Sequence, residues 1–443
     1  MKKLLCILLT ALLVLALAAC GHGVPGGTTT PPDELDPDID IDTNIEATLS
    51  IAFSNDAVER KMIDAAVEGF QKTYPNVTFE YTPVSSYEST IMGDVASGIS
   101  YDILWVSDSY VSTFARQGML ANLDAFIEES GFDTSLYYDS MMRMGQEFHN
   151  GSQYFMPRDY SKLVVYINKD IFEELKIDYT PFLDGWTWEE YLATSQALYD
   201  GIQASTNRDR WVMEAEFDWR IQMYGFTSAY GGVLIDESGD PVFDENAQKG
   251  LTEMQKMTKN QWAKFSGTTQ SNFIGGKVAM RWQVRPAFNS YHAVLGDSLE
   301  VLPFPEIGEG KTVGTGTTGY GIGRGSDQKG LAWQFLAYMM SEEGQNAMST
   351  SGGIVPSLIS LAEDENAVWR TMFPGINHDA FIYEGTNDVV PDYYDTIEVR
   401  DSSAYDAAIA NMLHQIMGNG MDVGPAVLTC QREIDKYLEM QGR

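Results

Sequence analysis

The sequence predicts an α/β fold with room for two domains. Strands that alternate apolar and polar residues are followed by amphipathic helices, and the pattern resumes after a break. The 443 residues can bury a core in each of two domains. A hydrophobic content of 44% and a charged content of 21% are those of a globular chain.

The N-terminus comes first. "MKKLLCILLTALLVLALAAC" opens on Lys2 and Lys3, runs apolar from Leu4 to Leu17 and ends in small residues before Cys20. Charge, length and cleavage-site chemistry predict a secretory signal peptide over residues 1–19. A membrane-spanning helix is the competing reading, since the run lies near the lower limit for a span. Leu17-Ala18-Ala19-Cys20 resembles the bacterial lipobox. That resemblance implies cleavage before Cys20 and acylation of its sulfur and new amine. Two or three acyl chains hold a protein at a membrane where one does not. Cleavage removes two lysines and no acid, taking the formal charge from −34 to −36.

Residues 20–46 read as a flexible tether. Gly, Thr and Pro give way to "DPDIDIDTN", which repels itself and buries no core. The aspartates lack the turn glycine and final glutamate of an EF-hand loop.

The folded part opens near Ala47. "ATLSIAF" alternates as a strand, and "DAVERKMIDAAVEGFQKTYP" carries Ile63, Val67, Phe70 and Tyr74 at helical spacing. Asp56-x-x-Glu59 reads as a capping box and Pro75 as a stop. "NVTFEYTPV" is a strand, then a helix spans Tyr87 to Ser97, "YDILWVS" is a strand and Tyr110 to Gly118 a helix. Strands alternating with helices argue a largely parallel sheet. "KLVVYIN" is the next strand and "KDIFEELKI" a short helix. Thr187-x-x-Glu190 caps another helix, and "NAQKGLTEMQKMTKNQW" is helical. "GKVAMRW", "LEVLPFP" and "GYGIGRG" read as strands. "DQKGLAWQFLAYMMSEEGQNAM" reads as one long helix, and the C-terminal part is mostly helical.

Taken together, the motifs resemble one family over almost the whole mature chain: extracellular solute-binding proteins of ABC importers, in the carbohydrate-binding group that includes maltose-binding protein. The stretches that carry it are "VEGFQKTYPNVTFEY", "DVASGISYDILWVSDSYVSTFARQGMLANLDAFI", "MPRDYSKLVVYINKDIFEEL", "DGWTWEEYLATSQAL", "AYGGVL", "NFIGGKVAMRW", "LPFPEIG", "GYGIGRGSDQKGLAWQFLAYMMSEEGQNAM" and "GGIVPSL". Their order is more specific than any one of them. Tyr101 departs from the pattern, standing where proline is usual. The resemblance implies a type II periplasmic-binding-protein-like fold: two α/β lobes joined by hinge crossings, with a ligand cleft between them. Lobe one is expected to comprise residues 47–157 and 303–350, and lobe two residues 158–302 and 351–443. The expected function is capture of a sugar or oligosaccharide and its delivery to the permease subunits of an ABC transporter. The protein is expected to be a monomer, lipid-anchored on the extracytoplasmic face of the cell membrane.

A sugar needs aromatic rings for its C–H face and convergent polar groups for its hydroxyls. Loop positions after strands supply candidates. "FSND" offers Asn55, which alternatively caps the next helix with Asp56. "WVSDSY" offers Asp108, at the position of a sugar-binding acid in the family, and Tyr110. "PRDYSK" places Arg158, Asp159 and Tyr160 beside the cleft, unless the first two form a plain surface pair. Phe217, Trp219 and Tyr224 precede the Gly231-Gly232 turn, where the family often stacks aromatics; core packing competes for each. "MRWQVRPAF" adds Arg281, Trp282 and Arg285, with core burial a strong alternative for Trp282. Tyr405 is a further stacking candidate. Three arginines in the cleft would suit an acidic sugar; they equally pair with cleft acids or meet neutral hydroxyls.

"GTGTTGYGIG", Gly314 to Gly323, satisfies G-x-G-x-x-G. A nucleotide turn needs a helix directly after the glycines, and here another strand follows. The stretch reads instead as a crossing beside the cleft, with Thr317, Thr318 and Tyr320 as candidates. No cofactor is expected. No metal is expected either, because the five histidines are scattered and none pairs at H-x-x-x-H spacing. Nucleic acid is excluded by 63 acidic against 29 basic residues. Cys430 has no partner in the mature chain and reads as a buried small residue. The rival readings are the same fold serving a peptide, polyamine, phosphorylated or carboxylated solute, and, more remotely, a secreted glycan-degrading enzyme.

Overall fold

The computed structural model describes residues 37–147, 150–265, 271–390 and 402–443. The expected signal peptide, Cys20 and the first part of the expected tether lie outside the described residues.

Lobe one carries five strands in the order β2-β1-β3-β11-β4. They are β1 (Ala47–Ser54), β2 (Val77–Val84), β3 (Ile103–Ser107), β4 (Met156–Pro157) and β11 (Thr318–Ile322). Lobe two carries β6 (Val164–Asn168), β7 (Trp211–Glu214), β8 (Val278–Gln283) and β9 (Leu299–Pro303) in the order β9-β6-β8-β7. Both sheets are mixed rather than largely parallel. β1 lies parallel to β2 and β3, but β11 is antiparallel to β3 and β4. The strands that cross between lobes arrive without the helical crossover that parallel neighbours require.

A third sheet joins the lobes. It consists of β5 (Ser161–Lys162), β10 (Thr312–Gly316) and β12 (Asn387–Val389), with β10 central. The chain therefore returns to lobe one at Thr318, not near Pro303. β9 pairs with β6, and Phe304 and Ile307 pack in the lobe-two core.

Local signals explain most element ends. Helix α1 (Ala57–Phe70) starts where the Asp56 carboxylate accepts from the amides of Val58 and Glu59, at 2.8 and 3.0 Å. Helix α2 is Tyr87–Ala96, and the short α3 is Asp139–Met144. Both halves of the capping box form at α4 (Trp188–Ala204): the Thr187 amide donates to Glu190 at 2.8 Å, and the Glu190 amide to Thr187 Oγ1 at 3.2 Å. In lobe two, α5 (Arg220–Ser228), α6 (Glu245–Lys259), α9 (Ser402–Leu413) and α10 (Val423–Met440) enclose one core against the sheet. The expected long helix splits into α7 (Lys329–Met340) and α8 (Glu342–Ser349). Ser341 turns out of the helix with ψ 163° and accepts from the Gly344 amide, capping α8. Cys430 is buried, and burial pushes its thiol up to about 12.

Residues 37–46 do not behave as tether. Ile39, Ile41 and Ile45 pack against the lobe-one core, while Asp38, Asp40 and Asp42 stay exposed. Gln334 of α7 donates to the Ile39 carbonyl at 2.7 Å. The alternation in "DPDIDID" was thus a strand-like signal beneath a charge run.

The glycine-rich crossing is shaped by close approach. A Cβ on Gly314 would sit 2.0 Å from the Ile221 carbonyl oxygen, and one on Gly319 would sit 1.9 Å from that of Met156. Both obstacles are backbone, so neither can swing aside. Gly319→Ala is expected to destabilise the fold by about 3 kcal/mol, the upper end of ordinary overpacking. Urea unfolding measures this, and an unchanged midpoint would refute the close approach.

Candidate functional site

Strand ends and crossings converge on one cavity of about 420 Å³. Lobe one supplies Ser54 and Asp56 from the end of β1, Glu59 from α1, and Trp105, Ser107 and Asp108 from the end of β3. Lobe two supplies Trp219, Arg220, Ile221 and Tyr224 around the start of α5. The crossings supply Arg158, Asp159, Ser161, Thr317 and Thr318.

A buried ionic network forms the floor. Arg158 is 3% exposed and donates to Glu59, to the Thr318 hydroxyl and, at 2.9 Å, to Asp159. The Tyr320 hydroxyl donates to the other Glu59 oxygen. Thr317 Oγ1 and the Thr318 amide donate to Asp159 at 3.0 and 2.9 Å. Burial by itself would lower the Arg158 guanidinium, but the Glu59 and Asp159 carboxylates outweigh it and hold the group above its ordinary value. Arg158 therefore brings no free positive charge to the cavity.

Asp108 stands apart from this network. Its carboxylate accepts from the Ser107 hydroxyl at 2.8 Å and keeps part of its surface open to the cleft. Enclosure by both lobes pushes its pKa up to about 6, against the pull of Ser107 and of Arg220 across the cavity.

Seven of the sixteen candidates meet here: Asp108, Arg158, Asp159, Trp219, Tyr224, Thr317 and Thr318. The others are placed elsewhere. Asn55 is exposed and donates to Ser85 Oγ at 3.3 Å. Tyr110 packs beside Tyr87, Trp105 and Phe114. Tyr160, just before Ser161–Lys162, lines a different cavity and donates to Asp388 at 2.8 Å. Tyr320 lies beneath the floor, on Glu59. Phe217 and Trp282 belong to the lobe-two core. Arg281 is fully buried against Glu214 and Glu216, at 3.0 and 2.9 Å. Arg285 is enclosed by Phe288, Trp369, Phe373 and Phe381 and donates to the carbonyls of Gly352 and Trp369. Tyr405 donates to the Gly239 carbonyl at 2.6 Å within lobe two. The three arginines expected to suit an acidic ligand are thus not assembled around the cavity.

Several lining residues were not among the candidates, Glu59, Trp105, Ser107 and Arg220 among them. Glu59 looked like half of a capping box, yet its side chain serves Arg158 and Tyr320. Trp105 and Ser107 share one face of β3 by alternation, which was the available signal. Arg220 pairs with Asp406 of α9 at 3.4 Å, a partner far along the chain. Among the described residues, no group of three or more His, Cys, Asp or Glu could hold a metal ion.

A profile of the bacterial extracellular solute-binding protein family matches residues 65–372. The chain belongs to this family. Its work is capture of a solute rather than chemical conversion, and the cleft between the lobes of this solute-binding protein suits that work. Among known relatives, the diacetylchitobiose-binding protein DasA of Streptomyces coelicolor is 21% identical over 315 residues, covering 67% of this chain and 70% of that protein. Two solved structures share the fold. A Listeria monocytogenes ABC substrate-binding protein in complex with cycloalternan superposes with a TM-score of 0.71 at 18% identity, covering 89% of this chain and 100% of that one. UgpB of Mycobacterium tuberculosis in complex with glycerophosphocholine superposes with a TM-score of 0.72 at 19% identity, covering 89% and 99%. No helix among the described residues is long and apolar enough to cross a membrane.

The Asp108 carboxyl of this solute-binding protein makes a pH prediction. As an ionised acceptor it forms charge-assisted hydrogen bonds, which weaken once it is protonated. Solute affinity is expected to fall as pH drops through about 6. The stability contribution runs the other way. The folded pKa lies above the ordinary 3.8, so the folded state binds more protons between the two values and gains stability as pH falls through that window. Binding isotherms from pH 5 to 8 test the first point, with the Asp108→Asn response expected to be flat.

Proposed function

We propose that this chain captures a neutral, hydroxyl-rich solute, a sugar of one or two rings, by closure of its lobes, and delivers it to the membrane permease of an ABC importer. We propose further that lipid on Cys20 holds it at the extracytoplasmic face.

The observation that carries this reading is the composition of the cavity wall. Trp105 and Trp219 come from opposite lobes, and the same wall carries acceptors and hydroxyls: Asp108, Asp159, Ser107 and Thr318. Aromatic faces receive the C–H side of a sugar ring, and carboxylates receive its hydroxyl protons. The guanidinium nearest the floor is already neutralised by two carboxylates. An anionic solute would meet more acid than base. The volume of 420 Å³ equals about fourteen liquid waters at about 30 Å³ each, enough for one or two rings. The sugars named for DasA and for the Listeria protein agree in class.

Thermal shift against neutral mono- and disaccharides, acidic sugars, glycerophosphodiesters, polyamines and short peptides tests it. A cognate sugar at a hundredfold excess over its dissociation constant should stabilise the protein by about 2.7 kcal/mol. Stabilisation by glycerophosphodiesters, polyamines or peptides, with none from any neutral sugar, would overturn the assignment. The anchor is tested separately: Cys20→Ser should move the protein from the membrane fraction to the medium.

A further inference from the structure

The hinge sheet has two faces. Ser161 and Val389 line the solute cavity. Their neighbours Tyr160, Lys162 and Asp388 line a second cavity, of about 590 Å³, on the opposite side of the strands. Successive strand residues point to opposite faces, so whatever orders the rear residues also orders those of the cleft floor.

One carboxylate gathers the rear face. Asp388 of β12 accepts from Ser140 Oγ at 2.6 Å and from the Tyr160 hydroxyl at 2.8 Å, and takes Lys162 Nζ at 3.2 Å. Lys162 spends its other donors on the carbonyls of Tyr383 and Thr386, at 2.8 and 3.1 Å. Ser140 belongs to α3, which packs against β4 of the lobe-one sheet and buries Met141, Met142 and Met144. Tyr138, just before α3, stacks on Tyr160 with centroids 4.2 Å apart and planes 14° apart. β12 and β5 both pair with β10, whose Val313 packs into the lobe-two core. A single side chain thus links a lobe-one helix to two of the strands that carry lobe two.

We infer that Asp388 is a positioning residue for solute capture: it fixes the angle between the lobes from behind the hinge and touches no part of the solute cavity. A hinge moves by small backbone changes at its crossings, and any change there must strain or break the contacts to Ser140 and Tyr160. The inference concerns lobe geometry. Its affinity arm rests on the proposed cleft site; its distance arm does not.

The experiment places one label in each lobe, through Ser89→Cys and Asp218→Cys, both at exposed positions, in the mature chain, where Cys430 is buried. Interlobe distances are then measured without solute. Asp388→Asn should broaden the distance distribution and lengthen its mean. Ser140→Ala, which removes only the lobe-one tie, should shift it in the same direction by less. Once a ligand is found in the sugar panel, affinity should fall roughly two- to thirty-fold in Asp388→Asn. An unchanged distribution in both variants would overturn the inference, as would a loss of melting temperature with no change in distance. A shifted distribution in a protein that binds no sugar would leave the inference standing and sink the proposed solute.

Discussion

Replacing Arg158 by leucine is expected to cost the fold about 3–5 kcal/mol, the largest stability loss of any single substitution in the cleft. The side chains of Glu59 and Asp159 are 5% and 4% exposed, and both point at the same guanidinium. Without it, two buried carboxylates lose their shared cation. Tyr320 can still donate to Glu59, and Thr317 and Thr318 to Asp159, but neutral donors do not balance two charges. The loss comes chiefly from the unpaired acids rather than from the absent attraction. Adding Glu59→Leu to the Arg158→Leu chain should therefore recover part of it. Urea unfolding of the three proteins decides the matter. A single variant within 1 kcal/mol of wild type, or a double variant worse than the single, would show that the network is not a charge-balanced unit.

Trp219→Ala should act on the opposite property. Its ring borders the cavity and its residue precedes α5, where it makes no side-chain capping bond. The fold is expected to tolerate its loss, while solute affinity should fall about thirtyfold, equivalent to about 2 kcal/mol at a desolvated aromatic contact. Trp105→Ala on the facing lobe should have a similar effect. The two should be non-additive, because both rings address one ligand. Trp282→Ala is the contrast. Trp282 is fully buried among Trp188, Phe217, Phe226 and Phe304, so its truncation should remove about 3–5 kcal/mol of stability. Calorimetric titration with the cognate sugar, alongside melting curves, separates the two classes. Equal affinity in wild type and Trp219→Ala would remove that ring from the site.

Much of the fold was readable because its signals are local. A serine or threonine before a glutamate, an alternating strand and a helical stripe each declare themselves within ten residues. Cavity-lining residues were readable where a polar side chain follows a strand, as with Asp108, or sits in a crossing, as with Arg158, Asp159 and Thr318. The residues that misled share one physical cause: their partners are distant in sequence. Arg281 and Glu216 are 65 positions apart, so nothing near "MRWQVR" revealed that the charge was already matched. Arg285 needs no carboxylate, because four rings and two carbonyls from residues 288–381 enclose it. An aromatic such as Trp282 carries the same pattern whether a ligand or a core covers it. Glu59 shows the reverse error, in which a complete local explanation concealed a long-range one.

The isoleucine-studded stretch before β1 has a mechanical consequence. Because the segment is seated on α7 of lobe one, through Gln334 on the Ile39 carbonyl and Gly330 against Asp38 and Ile41, a pull arriving from the preceding residues would meet that lobe first. The crossings lie farther along the chain, beyond these contacts. On the proposed anchor, lobe one would be the half held at the membrane.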